Sequence, residues 1–352
     1  MSLSSLFDAG GPRDVPPSGR MRAVQITQDH KVSVIQTDIP GLAEGEILVR
    51  PEACGICGTD LHILRHGFPG TNYPVTPGHE FAGRVVAVGP GAKGVKEGDF
   101  VTVDPNVVCG HCRWCLAGRP NLCPHLSPIG VGRPGAAAEF VAVPDRNAFQ
   151  VSESLGSGLA ALIEPLACVL HAVESSQGVK DRTVLVMGAG TMGLLIAVVA
   201  QAAGAAKVTL ADPIPDKHAI ARSAGLGTVI TPSELGADCY DVVFEATGVR
   251  KALEQSLALV EKTGALVQVG VHDEDALVPV SPFKIYEREI RIIGSNSCAD
   301  KFPEAVDVMS DIRKQAAVLL GDPFPVWDFN AAVDSMSAGR SIKTQLTLTR
   351  KP

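Results

Sequence analysis

From Met21 to about Val143 the apolar positions fall in short runs, AVQITQ, KVSVIQ, EILVRP, AGRVVAVG, FVTVDP and AEFVAVP, cut by glycine and proline turns. Runs of that length, rich in β-branched residues, predict strands and together a β-rich, barrel-like domain. From about Gly158 the rhythm changes. GLAALIEPLACVLHAV is long and apolar and predicts a helix. The strand-like segments TVLVMG, KVTLAD, TVI, YDVVFEAT, ALVQVG and IRIIGS follow, with helical stretches between most of them. Such alternation builds βαβ units on a doubly wound parallel sheet of α/β class. After Gly294 it breaks into a helix near Pro303–Ser310 and a strand-like SIKTQLTLT, both placed with the first domain. The expected division is a Ser/Gly/Pro-rich, mobile extension over 1–20, a β-rich domain over 21–160 and 295–352, and a parallel-sheet domain over 161–294.

A chain of 352 residues is too long for one ordinary core, in keeping with two domains. A net charge of −7 with no Lys/Arg stripe argues against nucleic acid as a partner. The longest apolar run, Leu194 to Ala203, suits a buried helix and is too short for a membrane span. The N-terminus lacks a charged segment followed by an apolar one, so secretion is not expected. Nine cysteines would admit disulfides, but their tight spacing reads as metal binding in a reducing compartment, the cytoplasm.

That spacing is Cys109-x2-Cys112-x2-Cys115-x7-Cys123, inside a lobe over 104–126. Four thiolates suit zinc in a closed tetrahedral site. With every ligand place filled by protein, such a site does no chemistry. A second feature is Gly188-Ala-Gly190-Thr191-Met192-Gly193, directly after a strand and opening the helix LLIAVVAQAAG. Gly188 permits the tight turn, Gly190 lets backbone approach a pyrophosphate and Gly193 allows close helix–strand packing. Asp212 ends the next strand; a carboxylate there accepts from ribose hydroxyls and repels a 2′-phosphate, favouring NAD over NADP. A glycine-rich turn with a capping Asp in a non-binding α/β fold would share this pattern.

Three further segments carry ligand-type residues: Cys54-Gly-Ile-Cys57-Gly-Thr59-Asp60-Leu-His62, Pro77-Gly-His79-Glu80 and Glu164-Pro-Leu. Mixed Cys, His and carboxylate donors scattered in sequence fit a catalytic zinc that keeps a place open. Taken singly, each has a plainer role: Glu164 as a first-turn helix acid, His79 as a loop histidine, Cys54 and Cys57 as a redox pair.

GHEFAGRVVAVG, the four-cysteine lobe, GAGTMG and CGICGTDLH together resemble the zinc-dependent medium-chain dehydrogenase/reductase superfamily, from about residue 21 to the C-terminus. The Glu-Pro-Leu at Glu164 is similar to its polyol (sorbitol-type) dehydrogenase branch. The resemblance implies a Rossmann domain beside a GroES-like catalytic domain. It also implies two zinc ions per subunit, NAD as cofactor, a small alcohol as substrate and a homodimer or homotetramer. By position it makes Cys57, His79 and Glu80 the catalytic-zinc ligands, with Glu164 a fourth, exchangeable or water-bridged one. Cys54 is not a ligand in this correspondence. Thr59 takes the place of a hydroxyl beside the substrate oxygen, Asp60 that of an acid orienting the zinc histidine, His62 that of a proton-relay histidine, and Lys217 that of a base on the adenosine ribose. Ile63 stands where sorbitol dehydrogenase has an aromatic residue, and Ser297 falls near its substrate-binding arginine. Groups that would hold distal hydroxyls are thereby removed, so another polyol, sugar alcohol or secondary alcohol is expected. The expected chemistry is zinc acting as Lewis acid, proton loss through Thr59 and His62, and hydride transfer to the nicotinamide. Rival readings are a threonine-dehydrogenase-like oxidation of amino alcohols and a non-catalytic NAD-binding sensor. Cys168, Cys239 and Cys298 read as small buried apolar residues.

Overall fold

A computed structural model describes residues 19–339 and 341–348. The N-terminal extension expected over 1–20 lies, but for its last two residues, outside them.

The parallel sheet is built as the alternating segments predict. Its strands run, edge to edge, Thr228–Ile230, Lys207–Ala211, Thr183–Met187, Tyr240–Glu245, Val260–Gln268 and Arg291–Gly294, which is 3-2-1-4-5-6 in chain order. Every pairing is parallel. Successive residues of one strand feed opposite cores. Val184 and Val186 pack with the helices Ile163–Ser175, Thr191–Ala202 and Phe302–Ala317, while Leu185 and Met187 face Ala252, Leu253 and Leu257 of helix Arg250–Ala258. A sheet covered on both faces needs apolar residues at consecutive positions, and TVLVM supplies them.

The β-rich part is a mostly antiparallel sheet ordered Phe324–Pro325, Gln345–Thr347, Glu46–Gly55, Glu80–Val88, Phe100–Val103 and Ala148–Gln150, with Val141–Pro144 also paired to Glu46–Gly55. Two of its strands therefore come from the C-terminal tail. The helix before them extends over Phe302–Ala317, longer than the segment expected near 303–310, and packs chiefly on Ile163–Ser175 and Thr191–Ala202. The apolar segment expected as one helix is two, Ser157–Ala161 and Ile163–Ser175, hinged at Leu162. Ala53, Ala82 and Phe100 of the antiparallel sheet share one core with these helices and the parallel sheet, so the junction between the two sheets is packed and apolar. No helix among the described residues is long and apolar enough to cross a membrane.

Candidate active site and metal centres

Strand Glu46–Gly55 runs into Cys57, the N-cap of helix Gly58–Arg65. Asp60, third in that helix, turns its carboxylate back to accept the Cys57 N–H at 2.9 Å. This reciprocal cap satisfies an otherwise orphaned donor and fixes the Cys57 thiol. The antiparallel register sets Gly55 opposite Glu80, so His79 and Glu80 arrive beside Cys57. The donor atoms of Cys57, His79 and Glu80 all lie within 4.8 Å of one another. Thr59 Oγ1 is 3.9 Å from Cys57 Sγ. Asp60 Oδ1 is 3.7 Å from His79 Nδ1, too long for a hydrogen bond.

Burial pushes the Asp60 carboxyl up from its ordinary range. Burial works against charge on His79 too, but the acids around it, Asp60 first and then Cys57, drive its imidazole well above the usual value. Asp60 Oδ1 and His79 Nδ1 are buried without a hydrogen-bond partner, and Glu80 Oε2 has only an ion pair. Interior polar atoms left in that state are costly. One thiol, one imidazole and one carboxylate around such orphans form a donor set that fits zinc.

Lys343, which sequence reasoning passed over, completes this site. Its ammonium is ion-paired with Glu80 and donates to the Ile56 carbonyl at 3.0 Å, and both side chains are buried. Burial disfavours its charge most; Glu80, Cys57 and Glu164 together outweigh that and raise its pKa. Gly55 makes the approach feasible, since a Cβ there would sit 2.7 Å from Lys343 Cε. A solitary lysine inside the strand-like SIKTQLTLT was the available signal.

Glu164 does not join the tight Cys57–His79–Glu80 group. Its carboxylate clusters instead with Cys168 and Cys298, and Cys168 Sγ donates to it at 3.7 Å. Burial raises its pKa to about 7. Cys298 is not simply an apolar residue: its sulfur receives Asn106 Nδ2 at 2.8 Å and donates to Asp104 Oδ1 at 3.6 Å. Cys239 likewise has a polar neighbour, accepting from Arg288 Nη2 at 3.3 Å. Ile63 is fully buried in the core of the β-rich part and does not face the metal-type group. The hydroxyl of Ser297 accepts from Asn106 at 3.0 Å and its carbonyl meets His171 at 2.9 Å, which fixes the loop after the last parallel strand. His62, half-buried, lies three residues after Thr59 and so on the same face of its helix.

The glycine motif forms the turn between Thr183–Met187 and Thr191–Ala202. Gly188 has φ of 101°, open only to glycine at low cost. A Cβ on Gly193 would collide with the Gly188 carbonyl group, while Gly190 faces open space. Thr191 caps nothing; its hydroxyl donates to the Ile342 carbonyl at 2.9 Å. Met192 packs on the shared core. Asp212 accepts from Ala189 N–H at 2.7 Å and Ile214 N–H at 2.9 Å, and pairs with Lys217 at 3.3 Å. The carboxylate thus braces the glycine turn directly.

In the lobe, Sγ–Sγ distances are 3.5 Å for Cys112–Cys115, 3.5 Å for Cys109–Cys123 and 4.0 Å for Cys109–Cys115, and all nine cysteines are free. Thiolates tetrahedral about zinc sit about 3.8 Å apart, from a Zn–S length of ~2.3 Å. The four thiols therefore fit zinc without rearrangement. Backbone N–H groups, that of His111 first, pull the Cys109 thiol down to about 6.

Residues 43–153 match the alcohol dehydrogenase GroES-like domain, and residues 191–311 match the zinc-binding dehydrogenase domain. D-altritol 5-dehydrogenase of Agrobacterium fabrum is 35% identical over 313 residues, covering 87% of this chain and 93% of its own. The chain belongs to the zinc-binding alcohol dehydrogenase family. Its Rossmann and GroES-like architecture is that of other members. A protein of Sinorhizobium meliloti 1021 solved with NADP superposes with a TM-score of 0.87 at 35% identity, covering 94% of this chain and 99% of that one. An alcohol dehydrogenase of Escherichia coli CFT073 solved with NADH superposes with a TM-score of 0.87 at 29% identity, over 94% and 99%.

Proposed function

We propose that the protein is a zinc-dependent dehydrogenase that passes hydride from a secondary alcohol of the polyol, sugar-alcohol or diol class to NAD. One continuous linkage carries this reading. Thr191, at the head of the cofactor helix, bonds the Ile342 carbonyl, and the next residue, Lys343, bonds Ile56 and Glu80. The nucleotide-type turn and the zinc-type ligand group are therefore neighbours across two residues of chain. The polyol named for the Agrobacterium relative supports the substrate class.

In this reading Cys57, His79 and Glu80 hold the catalytic zinc, with Glu164 as a fourth, exchangeable or water-bridged ligand. Bound zinc would supply Lewis acidity to the substrate hydroxyl. Asp60 orients His79 from behind, as carboxylates commonly do for ligating histidines. Thr59 relays the hydroxyl proton, giving up its own as it accepts, and His62, partly exposed one helical turn on, receives it by way of the ribose hydroxyls and passes it to solvent. Gly188, Gly190, Thr191, Met192 and Gly193 cradle the pyrophosphate, and Asp212 with Lys217 receives the adenosine ribose. Because Lys217 sits against Asp212, and relatives carry either nucleotide, preference for NAD rests on the Asp212 carboxylate alone. Cys109, Cys112, Cys115 and Cys123 hold a second, structural zinc. The catalytic domain spans 21–160 and 295–352 and the NAD domain 161–294, with helix Phe302–Ala317 across their junction. Exposed Leu277, Phe283 and Tyr286, with Ile292 on the edge strand Arg291–Gly294, support a homodimer or homotetramer, working in a reducing cytoplasm.

The test is a panel of four- to six-carbon polyols, their phosphates, small diols and L-threonine, read as NADH and NADPH formation by the wild type and Cys57→Ser. Polyol oxidation with NAD, abolished in Cys57→Ser while nucleotide binding persists, is expected. Full activity in Cys57→Ser overturns the zinc reading.

A further inference from the structure

Helix Ile163–Ser175 presents Glu164 and Cys168 one turn apart on a single face. Cys298 reaches them from the loop after the last parallel strand. That loop holds Ser297 at φ 57° and Ala299 at φ 47°, two left-handed non-glycine residues around one cysteine. Such conformations cost energy and persist where surrounding structure enforces them. Here they turn the Cys298 thiol inward, where it is fully buried. The donor atoms of Glu164, Cys168 and Cys298 all lie within 4.8 Å of one another. Around a zinc-class ion, thiolate and carboxylate donors sit about 3.5–3.8 Å apart, so small side-chain rotations close the gap.

Two neighbours contact the Cys298 sulfur, and Asn106 is the donor that a ligand sulfur needs. Asn106 donates an N–H to it at 2.8 Å, and Asp104 lies 3.6 Å away, with its own carboxylate held by the Asn106 backbone N–H at 2.9 Å. Glu164, Cys168, Cys298 and Asp104 thus bring four acidic groups together in the interior. Among the described residues, no lysine, arginine or histidine forms a hydrogen bond or ion pair with Glu164, Cys168 or Cys298. Buried acids are normally paired with a cation or neutralised.

We propose that Glu164, Cys168 and Cys298 form a seat for a thiophilic divalent cation of the zinc class, adjacent to the Cys57–His79–Glu80 group and additional to the four-cysteine lobe. Binding releases the protons of the two thiols, and of Glu164 where protonated, to solvent. Two thiolates and a carboxylate then face the dication, and Asn106 stays bonded to sulfur. Glu164 belongs to the seat and, in the proposed function, also serves the catalytic group, so the test leaves it intact and alters only the thiols.

Metal-free wild type and Cys168→Ala/Cys298→Ala are titrated with cadmium. The readouts are the thiolate-to-cadmium charge-transfer band and the metal retained after desalting. The double variant is expected to bind one equivalent per chain fewer than the wild type. Equal stoichiometry overturns the seat. Cadmium NMR of the wild type alone covers the case of a variant that does not fold. A resonance of mixed sulfur–oxygen ligation, separate from those of the four-sulfur lobe and the sulfur–nitrogen group, is expected, and its absence at saturation overturns the seat. Neither readout needs turnover, so a failure of the proposed reaction leaves this test intact.

Discussion

Replacing Lys343 with methionine removes the cation against Glu80 while keeping the length of the side chain. Both partners are buried, so water cannot compensate the orphaned carboxylate. Breaking a buried pair from one side costs about 3–5 kcal/mol. The Ile56 carbonyl also loses its donor, about 1 kcal/mol more. In the metal-free protein Lys343→Met should therefore lower unfolding free energy by roughly 4–6 kcal/mol. With zinc on the Cys57–His79–Glu80 group the ion itself compensates Glu80, and much of that penalty disappears. The thermodynamic cycle then requires tighter zinc binding by the variant. If half the ion-pair part is recovered, about 2 kcal/mol, affinity rises some 30-fold at about 1.4 kcal/mol per decade. Denaturant melts of apo protein and competition with a chromogenic zinc chelator measure the two arms. Glu80→Gln/Lys343→Met should be more stable than Lys343→Met alone, because it removes the orphaned charge. An apo loss below about 1 kcal/mol, or weaker zinc binding, would refute the idea that Lys343 competes with the metal for Glu80.

Three further outcomes are expected. Ile63→Ala should cost about 2–5 kcal/mol in stability and leave the ranking of alcohol substrates unchanged, since the side chain lies in the core; an altered ranking would show that it reaches substrate. Gly193→Ala drives a methyl into the Gly188 backbone, and should weaken nucleotide binding at least about tenfold by fluorescence titration, with ~1–3 kcal/mol lost in stability; unchanged affinity would contradict the turn geometry. Burial raises Asp104 to about 6. The folded state thus holds this proton above the unfolded value, and the stabilisation is full below that value and lost as pH rises through about 6. Asp104→Asn should therefore gain on wild type between about pH 4 and about pH 7, by up to about 3 kcal/mol in metal-free melts, and a gain that is flat with pH would be inconsistent.

The legible parts of this chain were those whose meaning is local. Cys109 to Cys123 and Gly188 to Gly193 each lie on one turn or lobe, so their spacing carries the geometry, and the 3-2-1-4-5-6 sheet follows from strand–helix alternation. Contacts distant in sequence were not legible. Lys343 is 263 positions after Glu80 (343 − 80), and nothing in the local pattern reveals that the tail strand returns to that carboxylate. Cys168 shares a helix face with Glu164, but it looked like an apolar filler because its partner Cys298 reaches them only through the backbone turn at Ser297 and Ala299. Ile63 looked like a substrate-facing position only through the resemblance, which sets it where sorbitol dehydrogenase has an aromatic residue; adjacent helical residues point about 100° apart, and Ile63 lies in the core.

Asn121, within the four-cysteine lobe, donates to the Asn296 carbonyl at 2.8 Å, and Asn106 beside it holds Ser297 and Cys298. The lobe is therefore stitched to the loop that leaves the last strand of the nucleotide sheet. It cannot be exchanged between relatives as a self-contained cassette. A graft that kept the four cysteines but lost these two asparagines would fold its metal correctly and still free the loop beside the cofactor. A lobe with no chemistry of its own would then set turnover from a distance.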